Sequence, residues 1–110
     1  MTNLVVCAAN GLASGCCRIA TRDRTSVGVF NLDGLLYALE DRCSHDDGPL
    51  CEGEFDADEG VVICPRHGAR FDIRSGRPLT LPATEPVATY PVFVLDGQII
   101  VELSSPKIAG

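Results

Sequence analysis

Tryptophan is absent from this chain, aromatic residues make up only 5% of it, and there are two histidines, His45 and His67. Basic residues are few as well: nine Lys and Arg stand against fifteen Asp and Glu, for a formal charge of −6. That balance excludes DNA, RNA and anionic membrane as natural partners and favours a basic protein surface. No stretch reaches the roughly 20 apolar residues needed to span a bilayer. The N-terminal run Met1-Thr2-Asn3-Leu4-Val5-Val6-Cys7 has neither a basic region nor a long apolar core, so no secretory signal is expected. The expected location is therefore the cytoplasm, where six cysteines read as thiols or metal ligands rather than as a disulfide framework.

A helical period is missing too. No segment shows three or more turns of 3.6-residue periodicity, and no G-x-G-x-x-G follows a strand, which excludes a Rossmann nucleotide site. The apolar residues instead form short runs rich in Val and Ile, broken by Gly, Pro and Asp. Val27 to Leu32 and Leu35 to Leu39 flank Asp33-Gly34, and Val92 to Leu95 and Gln98 to Leu103 flank Asp96-Gly97. Both are hairpin signals, because such turns need positive φ. Val61-Val62-Ile63 and Phe71-Asp72-Ile73 read as two further strands, the second closed by Ser75-Gly76-Arg77-Pro78. With 110 residues, 45% of them hydrophobic, the chain suits one packed domain and is too short for two. The expected fold is all-β, a sandwich or barrel-like domain.

Each scarce histidine stands close to a cysteine. The first segment is Cys43-Ser44-His45-Asp46-Asp47-Gly48-Pro49-Leu50 and the second is Cys64-Pro65-Arg66-His67-Gly68-Ala69-Arg70-Phe71. Together they read C-x-H and C-x-x-H, separated by residues 46–63. Both segments fall between predicted strands and are expected at hairpin tips, where a rigid scaffold presents binding groups. Two ligand chemistries suit the set. A tetrahedral Cys₂His₂ zinc site accepts these residue types, although structural zinc sites favour C-x₂₋₄-C and H-x₃₋₅-H pairs. A [2Fe–2S] centre with two thiolates on one iron and two imidazoles on the other takes one of each from each loop.

The motif, in its C-S-H and C-P-R-H-G contexts, resembles the Rieske [2Fe–2S] family. It is most similar to the small ferredoxins of multicomponent aromatic-ring-hydroxylating dioxygenase systems. The resemblance implies one Rieske domain over residues 1–110, an antiparallel β-sandwich of stacked sheets, with cluster loops at about 43–50 and 64–71. It implies one [2Fe–2S] cluster, with Cys43 and Cys64 on the buried iron and His45 and His67 on the outer iron. A proline-containing loop over the cluster is matched by Leu81-Pro82-Ala83-Thr84-Glu85-Pro86. The spacer between the ligand pairs is one or two residues longer than in these ferredoxins, which extends a hairpin at Asp56 to Gly60. Respiratory Rieske proteins carry extra cysteines where this chain has Gly48 and Arg66, and hydroxyl residues where it has Ala69 and Phe71.

The implied function is one-electron transfer from a flavin-dependent ferredoxin reductase to a terminal aromatic-ring-hydroxylating oxygenase. The chain itself is an electron carrier, not an enzyme, since a mononuclear iron site of the 2-His-1-carboxylate kind needs two further histidines. Two alternatives stay open: a Rieske subunit of another oxidoreductase such as a nitrite reductase, and a zinc-binding structural protein. Cys7, Cys16, Cys17 and Cys51 have no assigned role and read as small apolar residues. The acidic run Asp46, Asp47, Glu52, Glu54, Asp56, Asp58 and Glu59 is ordinarily a solvated face. Because it abuts the first loop, a second reading is steering of a basic partner.

Overall fold

Short two-residue turns set much of the architecture. Asp33 and Gly34 take φ of 54° and 90°, and Asp96 and Gly97 take 52° and 76°. Positive φ at both turn positions matches the twist of the flanking strands. The first pair joins β3 (Thr25–Leu32) to β4 (Leu35–Glu40), and the second joins β9 (Val92–Leu95) to β10 (Gln98–Glu102). This computed structural model describes residues 2–44 and 48–109. The remaining described strands are β1 (Asn3–Ala8), β2 (Cys17–Arg22), β5 (Phe55–Asp56), β6 (Val61–Ile63), β7 (Arg70–Asp72) and β8 (Thr89–Tyr90). A single 3₁₀ turn, Ala9–Gly11, is the only helical element among the described residues. No helix there is long and apolar enough to cross a membrane.

The strands form three antiparallel sheets, ordered β1-β10-β9, β2-β3-β4-β8 and β5-β6-β7. The four-stranded sheet lies between the other two, as alternation along β3 shows. Val27 and Val29 point to one face and pack with Leu12, Ala38, Ile99 and Val101. Phe30 and Leu32 point to the other and pack with Leu39, Leu50, Val62, Phe71 and Ile73. A strand buried on both faces reads as a continuous apolar run, which is how this segment appears in the sequence. The segment between β4 and β8 carries the small sheet and both Cys/His loops, so everything bearing on the site sits on one face of the central sheet.

Candidate metal centre

The second loop is the simpler one. It closes the β6–β7 hairpin, whose last rung pairs Ile63 with Arg70. The Cys64 N–H donates to the Ala69 carbonyl at 2.7 Å, and the Gly68 N–H donates to the Cys64 carbonyl at 3.0 Å. Gly68 has φ of 76° and open space where a Cβ would stand. The demand for glycine there is conformational, not steric.

The first loop differs from the hairpin-tip expectation. It leaves β4 in the central sheet and arrives at β5 in the small sheet, so no strand ladder spans its base. Its closure nonetheless repeats that of the second loop. The Cys43 N–H donates to the Gly48 carbonyl at 2.7 Å, five residues on, just as Cys64 reaches Ala69. Beyond the loop, Leu50 and Cys51 are buried. Gly53 then passes so close to the second loop that a Cβ on it would lie 1.7 Å from the Ile63 carbonyl oxygen and 3.1 Å from Pro65 Cδ. A third segment completes the site. Ala83 is buried with both loops, the Ser44 hydroxyl donates to the Glu85 carbonyl, and the Arg70 N–H donates to Thr80 Oγ1 at 2.9 Å.

Cys43 and Cys64 are 0% and 1% exposed and belong to the same apolar cluster, together with Ala69, Phe71 and Ala83. His67 is exposed at the tip of the second loop. Thiols thus face inward and the imidazole faces solvent. His45, with Asp46 and Asp47, lies outside the described residues. Among the described residues, no three Cys, His, Asp or Glu side chains gather around one point. The donors fit a two-iron cluster, which separates its thiolate end from its imidazole end.

The other cysteines fall elsewhere. Cys7 lies half-buried on β1 and Cys16 is exposed. Cys17 and Cys51, 34 residues apart, meet beneath Gly28, where a Cβ would lie 2.5 Å from Cys51 Sγ and 3.4 Å from Cys17 Sγ. Burial, then the Asp41 carboxylate, then Cys16 push the Cys17 thiol up to about 12. Burial and Asp41 also hold Cys51 well above the usual thiol range. Both stay protonated and serve as packing, as the sequence suggested. Their meeting has no local signature; the only hint is a glycine inside an apolar strand, a mark of close backbone approach.

The acidic run divides in the structure. Glu52 and Glu54 flank Gly53 and so border the loops. Asp58 and Glu59 lie in the turn before β6, at the end of that strand remote from Cys64. Asp56 is occupied locally: its Oδ1 accepts the Asp58 and Glu59 N–H groups, and its Oδ2 lies 3.7 Å from Arg70. For that residue the solvated, turn-forming role suffices.

The model of the Rieske [2Fe–2S] domain matches residues 2–91. The chain belongs to the Rieske [2Fe–2S] family. As a Rieske domain it holds one [2Fe–2S] cluster. It is 40% identical over 107 residues to the 3-phenylpropionate/cinnamic acid dioxygenase ferredoxin subunit of Photorhabdus laumondii, covering 97% of this chain and 100% of that one. Among solved structures, the ferredoxin of carbazole 1,9a-dioxygenase from Nocardioides aromaticivorans superposes with a TM-score of 0.85 at 34% identity, covering 92% of this chain and 97% of that one. A complex of reduced oxygenase and oxidized ferredoxin in carbazole 1,9a-dioxygenase contains a chain matching at TM-score 0.87 and 34% identity, with 96% of each covered.

Proposed function

We propose that this Rieske protein is the ferredoxin component of an aromatic-ring-hydroxylating dioxygenase system. In this role it accepts one electron from a flavin-dependent ferredoxin reductase and delivers it to a terminal oxygenase. The observation that carries the reading is the end-to-end match to a dioxygenase ferredoxin subunit, with 97% of one chain and 100% of the other aligned. Cys43 and Cys64 ligate one iron, and His45 and His67 the other. When bound, the cluster stores and releases a single electron. The residues of this chain do the rest. Cys43 and Cys64 keep the sulfur end in an apolar shell away from water. Exposed His67 brings the other end to the surface, where a transient partner can approach. The whole chain acts as one domain, and its six free cysteines suit the reducing cytoplasm.

Iron and sulfide analysis, with electron paramagnetic resonance of the reduced protein, tests the assignment. Wild type, Cys7→Ser and Cys51→Ser hold two irons and two sulfides, while Cys43→Ser, His45→Ala, Cys64→Ser and His67→Ala lose the Rieske signal. A colourless protein containing only zinc, or full iron with an unchanged spectrum in His45→Ala, would overturn it. Reduction by a reductase and re-oxidation by an oxygenase of such a system then tests the carrier role.

A further inference from the structure

The first loop leaves the central sheet and returns to its own starting point, where one carboxylate receives it. Asp41 Oδ1 accepts the N–H of Leu50 at 3.0 Å and the N–H of Cys51 at 2.7 Å. Its Oδ2 accepts the Ser26 hydroxyl on β3 at 3.4 Å, and its own N–H donates to the Ser26 carbonyl at 2.9 Å. A single side chain therefore ties the exit of the loop to its entrance, and both to the sheet. Cys51 is held from behind, because bare Gly28 leaves room for it against the β3 backbone.

The second loop has no need of such a device, since the β6–β7 ladder closes its base. The first loop connects strands of different sheets, so no ladder exists to close it. Two buried backbone N–H groups that no strand partner satisfies converge on one acceptor oxygen, and leaving them unpaired would be costly. They lie where the missing rungs would be.

We propose that Asp41 is the positioning residue of the first cluster loop, its carboxylate standing in for the absent strand ladder and holding Cys43 in register with Cys64. This rests on the reading of Cys43 as a cluster ligand. Asp41 acts through the loop backbone, at the Leu50 and Cys51 amides. The decisive property is an acceptor oxygen at Oδ1, not the negative charge.

Holoprotein variants separate these roles. Asp41→Leu removes both acceptors and keeps the branched shape, while Asp41→Asn keeps an acceptor oxygen and removes the charge. Iron release to a chelator, followed by loss of visible absorbance, is expected to be faster in Asp41→Leu by about tenfold or more. Its reduced-state resonance should broaden or shift in g-value. Asp41→Asn should stay within about twofold of wild type with unchanged g-values. Wild-type release and an unchanged spectrum in Asp41→Leu would overturn the proposal, and release from Asp41→Asn as fast as from Asp41→Leu would overturn the acceptor argument. Hydrogen exchange on wild-type holoprotein provides a test that does not depend on variant folding. The Leu50 and Cys51 amides should exchange about a hundredfold slower than unprotected amides, and exchange at unprotected rates would overturn the clamp. Wild-type iron content in Cys43→Ser would overturn the ligand assignment, whereas an unaltered Asp41→Leu would overturn the clamp alone.

Discussion

Gly53→Ala puts the bracing between the two loops under direct test. The added Cβ would stand 1.7 Å from the Ile63 carbonyl oxygen and 2.9 Å from its carbon, against ordinary contact at 3.4 Å or more. The two backbones must therefore part by about another 1.7 Å, and neither neighbour is a flexible side-chain end that could swing away. Two hydrogen bonds are at stake: Gly53 N–H to the Leu50 carbonyl at 3.1 Å and Ile63 N–H to the Glu54 carbonyl at 2.9 Å. Losing both costs about 1 kcal/mol each. Overpacking against a close-packed interior adds about 1–3 kcal/mol. The sum, about 3–5 kcal/mol, is a large fraction of a domain stability of about 5–15 kcal/mol. For a domain of this size each kcal/mol moves Tm by about 4–8 °C, so Tm should fall by at least about 12 °C. Gly11→Ala supplies the control, because the same chemical change there meets nothing within 4 Å and needs no positive φ. It should alter stability by less than about 1 kcal/mol, in the stabilising direction. Calorimetry of the anaerobic holoproteins with parallel iron analysis decides the matter. A Gly53→Ala Tm within about 2 °C of wild type would refute the reasoning.

Three further outcomes are expected. Ala69 and Phe71 are fully buried beside Cys43 and Cys64 and offer no side-chain hydroxyl, so the reduction potential should lie at the low end of the Rieske span of roughly −150 to +300 mV. Ala69→Ser with Phe71→Tyr should raise it in protein-film voltammetry, because hydrogen bonds to cluster sulfur favour the more negative, reduced state; a wild-type value near the top would contradict this. Charge reversal at Glu52 and Glu54, which border the loops, should slow reduction by the reductase at low salt. The same change at Asp58 and Glu59 should matter much less, and equal effects at both ends would leave only general net-charge attraction. With its pKa raised to about 12, the Cys17 thiol exposes only about one part in ten thousand as thiolate at pH 8. Alkylation should therefore take exposed Cys16 and spare Cys17 until the pH rises several units, as peptide mapping would show; rapid labelling of half-buried Cys17 at pH 8 would contradict its raised pKa.

Much of the fold was legible in the chain because its signals are local. Asp33-Gly34 and Asp96-Gly97 announce their hairpins through the positive φ they must adopt. The hairpin extended at Asp56 to Gly60, where Gly60 takes φ of 71°, was expected on other grounds, from the length of the spacer that the family resemblance set in relief. β2 was not. Its sequence is Cys-Arg-Ile-Ala-Thr-Arg, and its turn into β3 begins at Asp23 with φ of 55° followed by Arg24, not glycine. An edge strand exposed along most of its length carries neither clean alternation nor a recognisable turn.

Two Cys/His segments, each carrying its own closing residues within a few positions, and short apolar runs broken by turn residues are written in the chain itself. What those pieces meet depends on how the chain closes. That closure sandwiched β3, so that Val29 and Phe30 serve two different cores. It brought Cys43 and Cys64 into one buried cluster and left His67 at the surface. It folded Asp41 onto Leu50 and Cys51, seated Cys51 against Gly28, and split one acidic run between the two ends of a three-residue strand. Alternation along a strand states which face is apolar, not which sheet will cover it. A contact between residues nine or more positions apart leaves no periodicity in either segment, so loop register and glycine-for-thiol packing emerge only when the chain closes on itself.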